Sequence, residues 1–207
     1  MTAKYKLYGW QGSGSFAVQV ALEEIGAPYE RVWVGRDEAA LAAYRATVPT
    51  GRVPALELPD GSVIFESAAM LIHLAHAHAP SALAPPPGTS AHAVFLQWMV
   101  FLAANVYESA LRVYYPVRYS ARGEADAEAI RRQATVDFYA HLDLAGRRLA
   151  PFILGGDYSI ADAYLYMLVS WYPDKPGLGL RLPALQAHAR RLADRPAIAK
   201  VEADHAA

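Results

Sequence analysis

Thr50-Gly51-Arg52-Val53-Pro54-Ala55-Leu56-Glu57-Leu58-Pro59-Asp60-Gly61-Ser62-Val63-Ile64-Phe65-Glu66-Ser67 decides the fold, because it reads in order as strand, tight turn, strand and helix start. Val53, Ala55, Leu56 and Leu58 suit an extended, half-buried segment. Pro59-Asp60-Gly61 is turn chemistry, with proline setting φ and glycine tolerating φ > 0, and Val63-Ile64-Phe65 returns as the second strand of a β-hairpin. Pro54 has no N–H for a sheet ladder, so the Val53 backbone just before it is free to face a ligand. Ser67 precedes the Ala68 to Ala75 run, rich in alanine and leucine, and reads as an N-cap. The positive end of that helix would welcome anionic groups.

Outward from this stretch, Tyr5-Lys6-Leu7-Tyr8 alternates like a short strand and stops at the glycine- and serine-rich loop Gly9 to Ser15. Phe16, Val20, Ala21, Glu24 and Ile25 form the stripe of a helix that Gly26 ends. Tyr29 to Val34 alternates as a second strand, which completes a βαβ unit with parallel strands. Glu38 to Ala46 is alanine-rich and helical in character. The order βαβ, helix, ββ, α is thioredoxin-like and uses residues 1–78. Chemistry belongs in the loop after the first strand, at a helix N-terminus above the carboxyl end of the sheet. Its hydroxyls are Ser13 and Ser15, and Ser15 is placed to cap the helix beginning at Phe16.

The 207 residues carry 19 basic and 20 acidic side chains, a formal charge of −1, which gives no electrostatic case for nucleic acid or an anionic membrane. Absence of cysteine excludes disulfides, thiolate metal sites and a cysteine nucleophile, so any reacting sulfur must arrive with a ligand. Met1 to Lys6 lacks the apolar core of a signal peptide, and no apolar run approaches the ~18 residues of a membrane span. The expectation is a soluble cytoplasmic protein without membrane or nucleic-acid partners.

Residues 79–89, with Pro80, Pro85, Pro86, Pro87 and Gly88, read as a stiff linker. Residues 90–207 then read as an all-α domain, with long helices over 90–119, broken at Pro116, and over 124–149, and further ones over 160–172 and 182–192. Ser159 with Asp162 three residues on approximates a capping box, which makes Asp162 a folding residue. His73, His76 and His78 share no helix face and lack an acidic or thiol partner, so no metal site is expected. Tyr107, Tyr114, Tyr115, Trp171 and Tyr172 supply aromatic surface for an apolar second-substrate pocket or for core packing.

The Val-Pro-Ala-Leu, hairpin, Glu-Ser, helix series resembles the glutathione-binding half of the glutathione S-transferase superfamily, in its bacterial serine-loop form. Gly155 to Leu165 resembles the signature of that family's helical domain, so the resemblance spans nearly the full chain. It implies an α/β thioredoxin-like N-terminal domain with a cis proline at Pro54, followed by an all-α C-terminal domain. It implies that the Val53 backbone pairs with the cysteinyl part of glutathione and that Glu66-Ser67 holds the γ-glutamyl end, with Trp10 and Arg52 nearby. In serine-type members a hydroxyl near the end of the first strand bonds the glutathione sulfur. Counting from Leu7-Tyr8 puts it at Ser13, whereas counting back from Ala21-Leu22 lands on Gly12 or Gly14. A tyrosine-type reading would use Tyr8, which the strand's alternation packs away. Val48 departs from the asparagine usual in the family. Two functions follow: a homodimeric, detoxifying transferase that adds glutathione to an apolar electrophile or reduces a peroxide, or a binding or regulatory protein that keeps the fold with little turnover.

Overall fold

A computed structural model describes residues 4–78 and 82–206. Residues 1–3, and residues 79–81 of the expected linker, lie outside the described residues. The chain divides into two compact units, residues 1–84 with 193–207, and residues 85–192.

The first unit holds a four-stranded sheet of β1 (Tyr5–Gly9), β2 (Tyr29–Trp33), β3 (Ala55–Glu57) and β4 (Val63–Phe65), in the order β2-β1-β3-β4. β1 pairs parallel with β2, antiparallel β3 follows, and β4 closes the hairpin. Along β1 the alternation read from the sequence is realised as burial of Tyr5, Leu7 and Gly9. Leu7 and its cross-strand partner Leu56 are fully buried. Packed on each other and on the strands are α1 (Ser15–Glu24) and α3 (Ser67–Ala77), which bring Leu22, Met70, Leu71 and Leu74 into the core, each worth about 1.5–3 kcal/mol when buried. α2 (Glu38–Thr47) contributes Tyr44 to a separate cluster with Val34, Val48 and Ala55, against which Tyr8, Trp10 and Val53 pack. Val48 thus serves as core packing. Gly26 follows α1 with φ 63°, the left-handed turn that ends the helix as expected.

Two helix starts differ from the sequence reading. α1 begins at Ser15 with Gly14 in the cap position, so Ser15 is inside the helix and does not cap it. α3 begins at Ser67 with Glu66 in the cap position, so Ser67 is the first helical residue. In both cases residues before the helix take a turn that the local pattern does not specify.

The second unit contains α4 (Ser90–Phe101), a π-helical segment (Leu102–Tyr107), α5 (Glu108–Tyr114), a 3₁₀ turn (Pro116–Tyr119), α6 (Glu124–Arg148), α7 (Ile160–Ser170), α8 (Leu178–Arg181) and most of α9 (Pro183–Ala193). The continuous helical run Ser90–Tyr114 is 25 residues, long and apolar enough by length and composition to cross a membrane. This corrects the expectation that no run nears that length. Gln97, Asn105 and Glu108 interrupt the apolar string without lowering its average far, and Phe95, Met99, Leu102 and Val106 are buried within the unit. The last helix, α10 (Pro196–Ala206), belongs with the first unit and packs on α1, although the sequence reading keeps 90–207 together. Arg195, just before it, makes a two-pronged ion pair with Glu24 of α1 at 2.9 Å per bond.

Candidate functional site

Sheet register gathers the candidate segments. Tyr8 stands opposite Ala55, and Ala55 opposite Phe65. Immediately beyond that row, at one end of the sheet, lie Gly9, the last residue of β1, with Trp10 after it, Val53-Pro54 before β3 and Glu66-Ser67 after β4. Three stretches far apart in sequence thereby share one edge.

The loop after β1 is built by its own hydrogen bonds. The Ser13 N–H donates to the Trp10 carbonyl at 3.1 Å, and Phe16 N–H donates to the Ser13 carbonyl at 3.1 Å. Ser13 Oγ accepts from the N–H groups of Trp10 at 3.2 Å and Ser15 at 3.3 Å, and lies 2.9 Å from Ser15 Oγ. Ser15 Oγ donates to the Trp10 carbonyl at 3.2 Å and is fully buried. It fits there because residue 9 is glycine: a Cβ at that position would stand 2.3 Å from Ser15 Oγ. The proton count follows. Ser15 spends its proton on a carbonyl, while Ser13 has both acceptor positions filled and keeps one proton, aimed at Ser15 Oγ and open to capture by a stronger acceptor. Ser13 is half-buried, and no acidic residue sits in the first turn of α1 to oppose a ligand anion. Tyr8 offers no comparable donor: its hydroxyl is committed to Glu57 at 2.9 Å, and burial followed by that carboxylate raises its pKa.

Trp10 is anchored through its indole N–H, which donates to the Val34 carbonyl at 2.9 Å, while the Arg36 guanidinium lies 5.1 Å from the ring centre. The Val53–Pro54 bond is cis. Arg52 is exposed, but its carbonyl accepts a 2.8 Å bond from the Tyr44 hydroxyl, whose pKa burial raises; this pins the chain entering Val53. Glu66 is exposed at φ 72°, ψ 107°. A positive φ on a non-glycine residue costs on the order of 1–3 kcal/mol and collects at ligand-binding positions. Ser67, beside it, is buried.

In the second unit Tyr107 stands edge-on to Trp171 with centroids 5.0 Å apart, and the Tyr114 hydroxyl donates to the Trp171 carbonyl. The three residues named for a second-substrate pocket are therefore neighbours. The π-helical segment carries Tyr107, and its extra residue per turn shifts every side chain after it, which helical periodicity alone does not reveal. His78 bonds the Tyr5 hydroxyl at 2.9 Å, and among the described residues no group of three or more His, Asp or Glu could hold a metal.

Sequence reasoning misses one participant. The Gly12 N–H donates to His205 Nδ1 of α10 at 3.1 Å, a contact spanning 193 positions that no local pattern announces.

Residues 15–77 match the family model described as the glutathione S-transferase N-terminal domain. The chain is similar to glutathione S-transferase GstA of Escherichia coli O157:H7, 27% identical over 198 residues that cover 93% of this chain and 94% of the relative. Among solved structures it is similar to a glutathione transferase homologue from Sulfitobacter with bound glutathione, with TM-score 0.88, 27% identity and 98% of each chain covered. A sphingomonad glutathione S-transferase complexed with glutathione matches with TM-score 0.81 and 29% identity, covering 97% of this chain and 98% of its own.

Proposed function

Because the chain belongs to the glutathione S-transferase superfamily, we propose that it binds glutathione at the Val53 and Glu66 edge of the sheet, stabilises the thiolate, and either transfers it to an apolar electrophile or uses it to reduce a peroxide. The observation that carries this reading is the Ser13 hydroxyl, whose proton has only Ser15 Oγ to engage it, at the start of α1 and on the same sheet edge as Val53-Pro54 and Glu66-Ser67.

A free thiol with pKa near 8.5 is only a few per cent thiolate at neutral pH. Lowering that value by ~2 units requires favouring the anion by roughly 2.7 kcal/mol. One hydroxyl donating to a charged acceptor supplies ~1.5–3 kcal/mol, and the N-terminus of α1 adds up to ~1–2. No general base is needed. When a thiolate approaches, the Ser13 proton turns from Ser15 Oγ to sulfur, since an anion is the better acceptor. Ser15 acts behind it, by holding the Trp10 carbonyl. The Val53 backbone and Glu66-Ser67 bind the peptide, the Glu66 carboxylate taking the ligand ammonium, with Trp10 and Arg52 at the margins. Tyr107, Tyr114 and Trp171 take the second substrate. The same reading makes the protein a cytoplasmic homodimer that works in detoxification. Sedimentation showing a monomer at micromolar concentration would remove the dimer.

Val48 in place of asparagine favours a second reading, a glutathione-binding protein with little turnover. Isothermal titration with glutathione, followed by chlorodinitrobenzene and hydroperoxide assays, separates the two. Binding with turnover is the expected result; binding alone selects the second reading, and no binding ends both.

A further inference from the structure

The loop that carries Ser13 is held at two points. Its first residue, Trp10, is tied to the Val34 carbonyl. Its apex, Gly12, is exposed at φ 67° and reaches across to α10, where His205 Nδ1 accepts its N–H. A histidine nitrogen that accepts must be unprotonated, so the hydrogen of a neutral ring resides on Nε2. That nitrogen lies 3.2 Å from Gln19 Oε1, an acceptor, which selects the same tautomer independently. The Gln19 amide then donates to Asp204 Oδ2 at 2.7 Å and to the Tyr29 oxygen at 3.0 Å, and Tyr29 donates to Glu23 at 2.6 Å. Every bond in this series runs donor to acceptor in one direction, away from Gly12, and every partner belongs to the first unit.

The ring has little freedom to leave. It is wedged edge-on between Phe16, centroids 5.4 Å apart, and Trp33, 5.1 Å apart. Charged groups acting on it are Arg31 and Asp204: Arg31 lies over Trp33 and pairs with Asp204 at 2.8 Å. Burial, then the Arg31 charge, outweigh Asp204 and hold the His205 pKa down to about 4, so the ring is neutral at pH 7 and stays an acceptor.

We infer that His205 is a positioning residue for thiolate stabilisation, fixing the apex of the Ser13 loop through the Gly12 N–H and fixed in turn by Gln19. It touches no substrate. Three residues after the pinned amide, the chain enters α1, so the apex sets where Ser13 Oγ stands relative to the sulfur. The inference rests on the proposed role of Ser13, yet its first link is testable without any ligand.

In wild-type protein, 15N-detected NMR should show a neutral Nε2–H tautomer for His205 and a 15N–15N coupling across the Gly12–His205 hydrogen bond. Absence of that coupling, or the opposite tautomer, overturns the inference. Substitutions then use the geometry of histidine: asparagine places an acceptor near Nδ1, whereas glutamine reaches toward the Nε2 position. His205→Gln and His205→Leu should raise the apparent pKa of bound glutathione thiol by about one unit and lower kcat about tenfold with KM nearly constant, since one hydrogen bond's worth of placement is lost. His205→Asn should restore both. Equal loss in all three variants, or an unmoved thiol pKa in all three, leaves His205 a purely structural contact and refutes the role. Failure of wild-type protein to bind glutathione would sink the functional reading, while the wild-type NMR result would still decide the loop contact.

Discussion

The starts of α1 and α7 both carry serine, and they are built to opposite ends. At α7, Ser159 and Asp162 form a closed capping box: Asp162 Oδ2 accepts from the Ser159 N–H and hydroxyl, and Oδ1 accepts from the Ile153 N–H at 2.8 Å and lies 3.0 Å from His188 Nε2. Asp162 is fully buried and its acceptor capacity is spent. At α1 the cap residue is Gly14, with no side-chain cap, and Ser13 retains a hydroxyl proton that only its neighbour Ser15 engages. A helix start whose serine and aspartate are both fully engaged stabilises the fold. One that leaves a donor weakly engaged at a half-buried position can act on a ligand. The start of α3 is a third kind, an exposed carboxylate on a backbone that disfavours it.

Substitutions at these starts test that contrast. The largest effect is expected for Asp162→Ala, which strands the donors of Ile153, Ser159 and His188 in a dry interior and should destabilise by about 3–5 kcal/mol. Chemical denaturation measures it; a loss under 1 kcal/mol would mean the box is not what holds α7, and folded variant should keep its affinity for glutathione. Glu66→Ala should weaken glutathione binding by on the order of 2–3 kcal/mol through loss of a charged partner. Glu66→Gly should weaken it as much while raising the melting temperature, because glycine accepts the positive φ. Should stability collapse while calorimetric affinity holds, the residue would move to the structural side of the comparison.

Next, Ser13→Ala should raise the apparent pKa of bound glutathione thiol by about one to two units, or roughly 1.4–2.7 kcal/mol, with little change in affinity. Thiolate absorbance against pH reads this directly. The smallest effect belongs to Ser15→Ala, about 1 kcal/mol of stability from the lost hydrogen bond to the Trp10 carbonyl, with the thiol titration nearly in place. If the Ser15 variant shifts the titration and the Ser13 variant does not, the two hydroxyls exchange roles.

What was legible in the sequence was what neighbouring residues determine. The hairpin turn at Pro59 to Gly61, the βαβ order, the left-handed stop at Gly26 and the Ser159–Asp162 box all rest on contacts within a few positions. The caps assigned to Ser15 and Ser67 were misplaced because Ser13 supplies the hydroxyl before α1 and Glu66 occupies the turn before α3, choices set by packing on Gly9 and by the sheet edge. The π-helical segment is invisible to a 3.6-residue pattern. His205 lay beyond sequence reasoning for the plainest reason: its partner is Gly12, at the other end of the chain.

The return of α10 to the first unit also has a meaning in time. Glu24 and its partner Arg195 are 171 positions apart, and a ribosome adding ~5–20 residues per second delivers them on the order of ten to thirty seconds apart. Through that interval the α10-facing side of α1 has no cover, and the Gly12 loop has no clasp. The unit that starts first is therefore finished last, after the whole helical unit has been made. A fragment cut at residue 84 would be an interrupted synthesis, lacking the helix that shields α1.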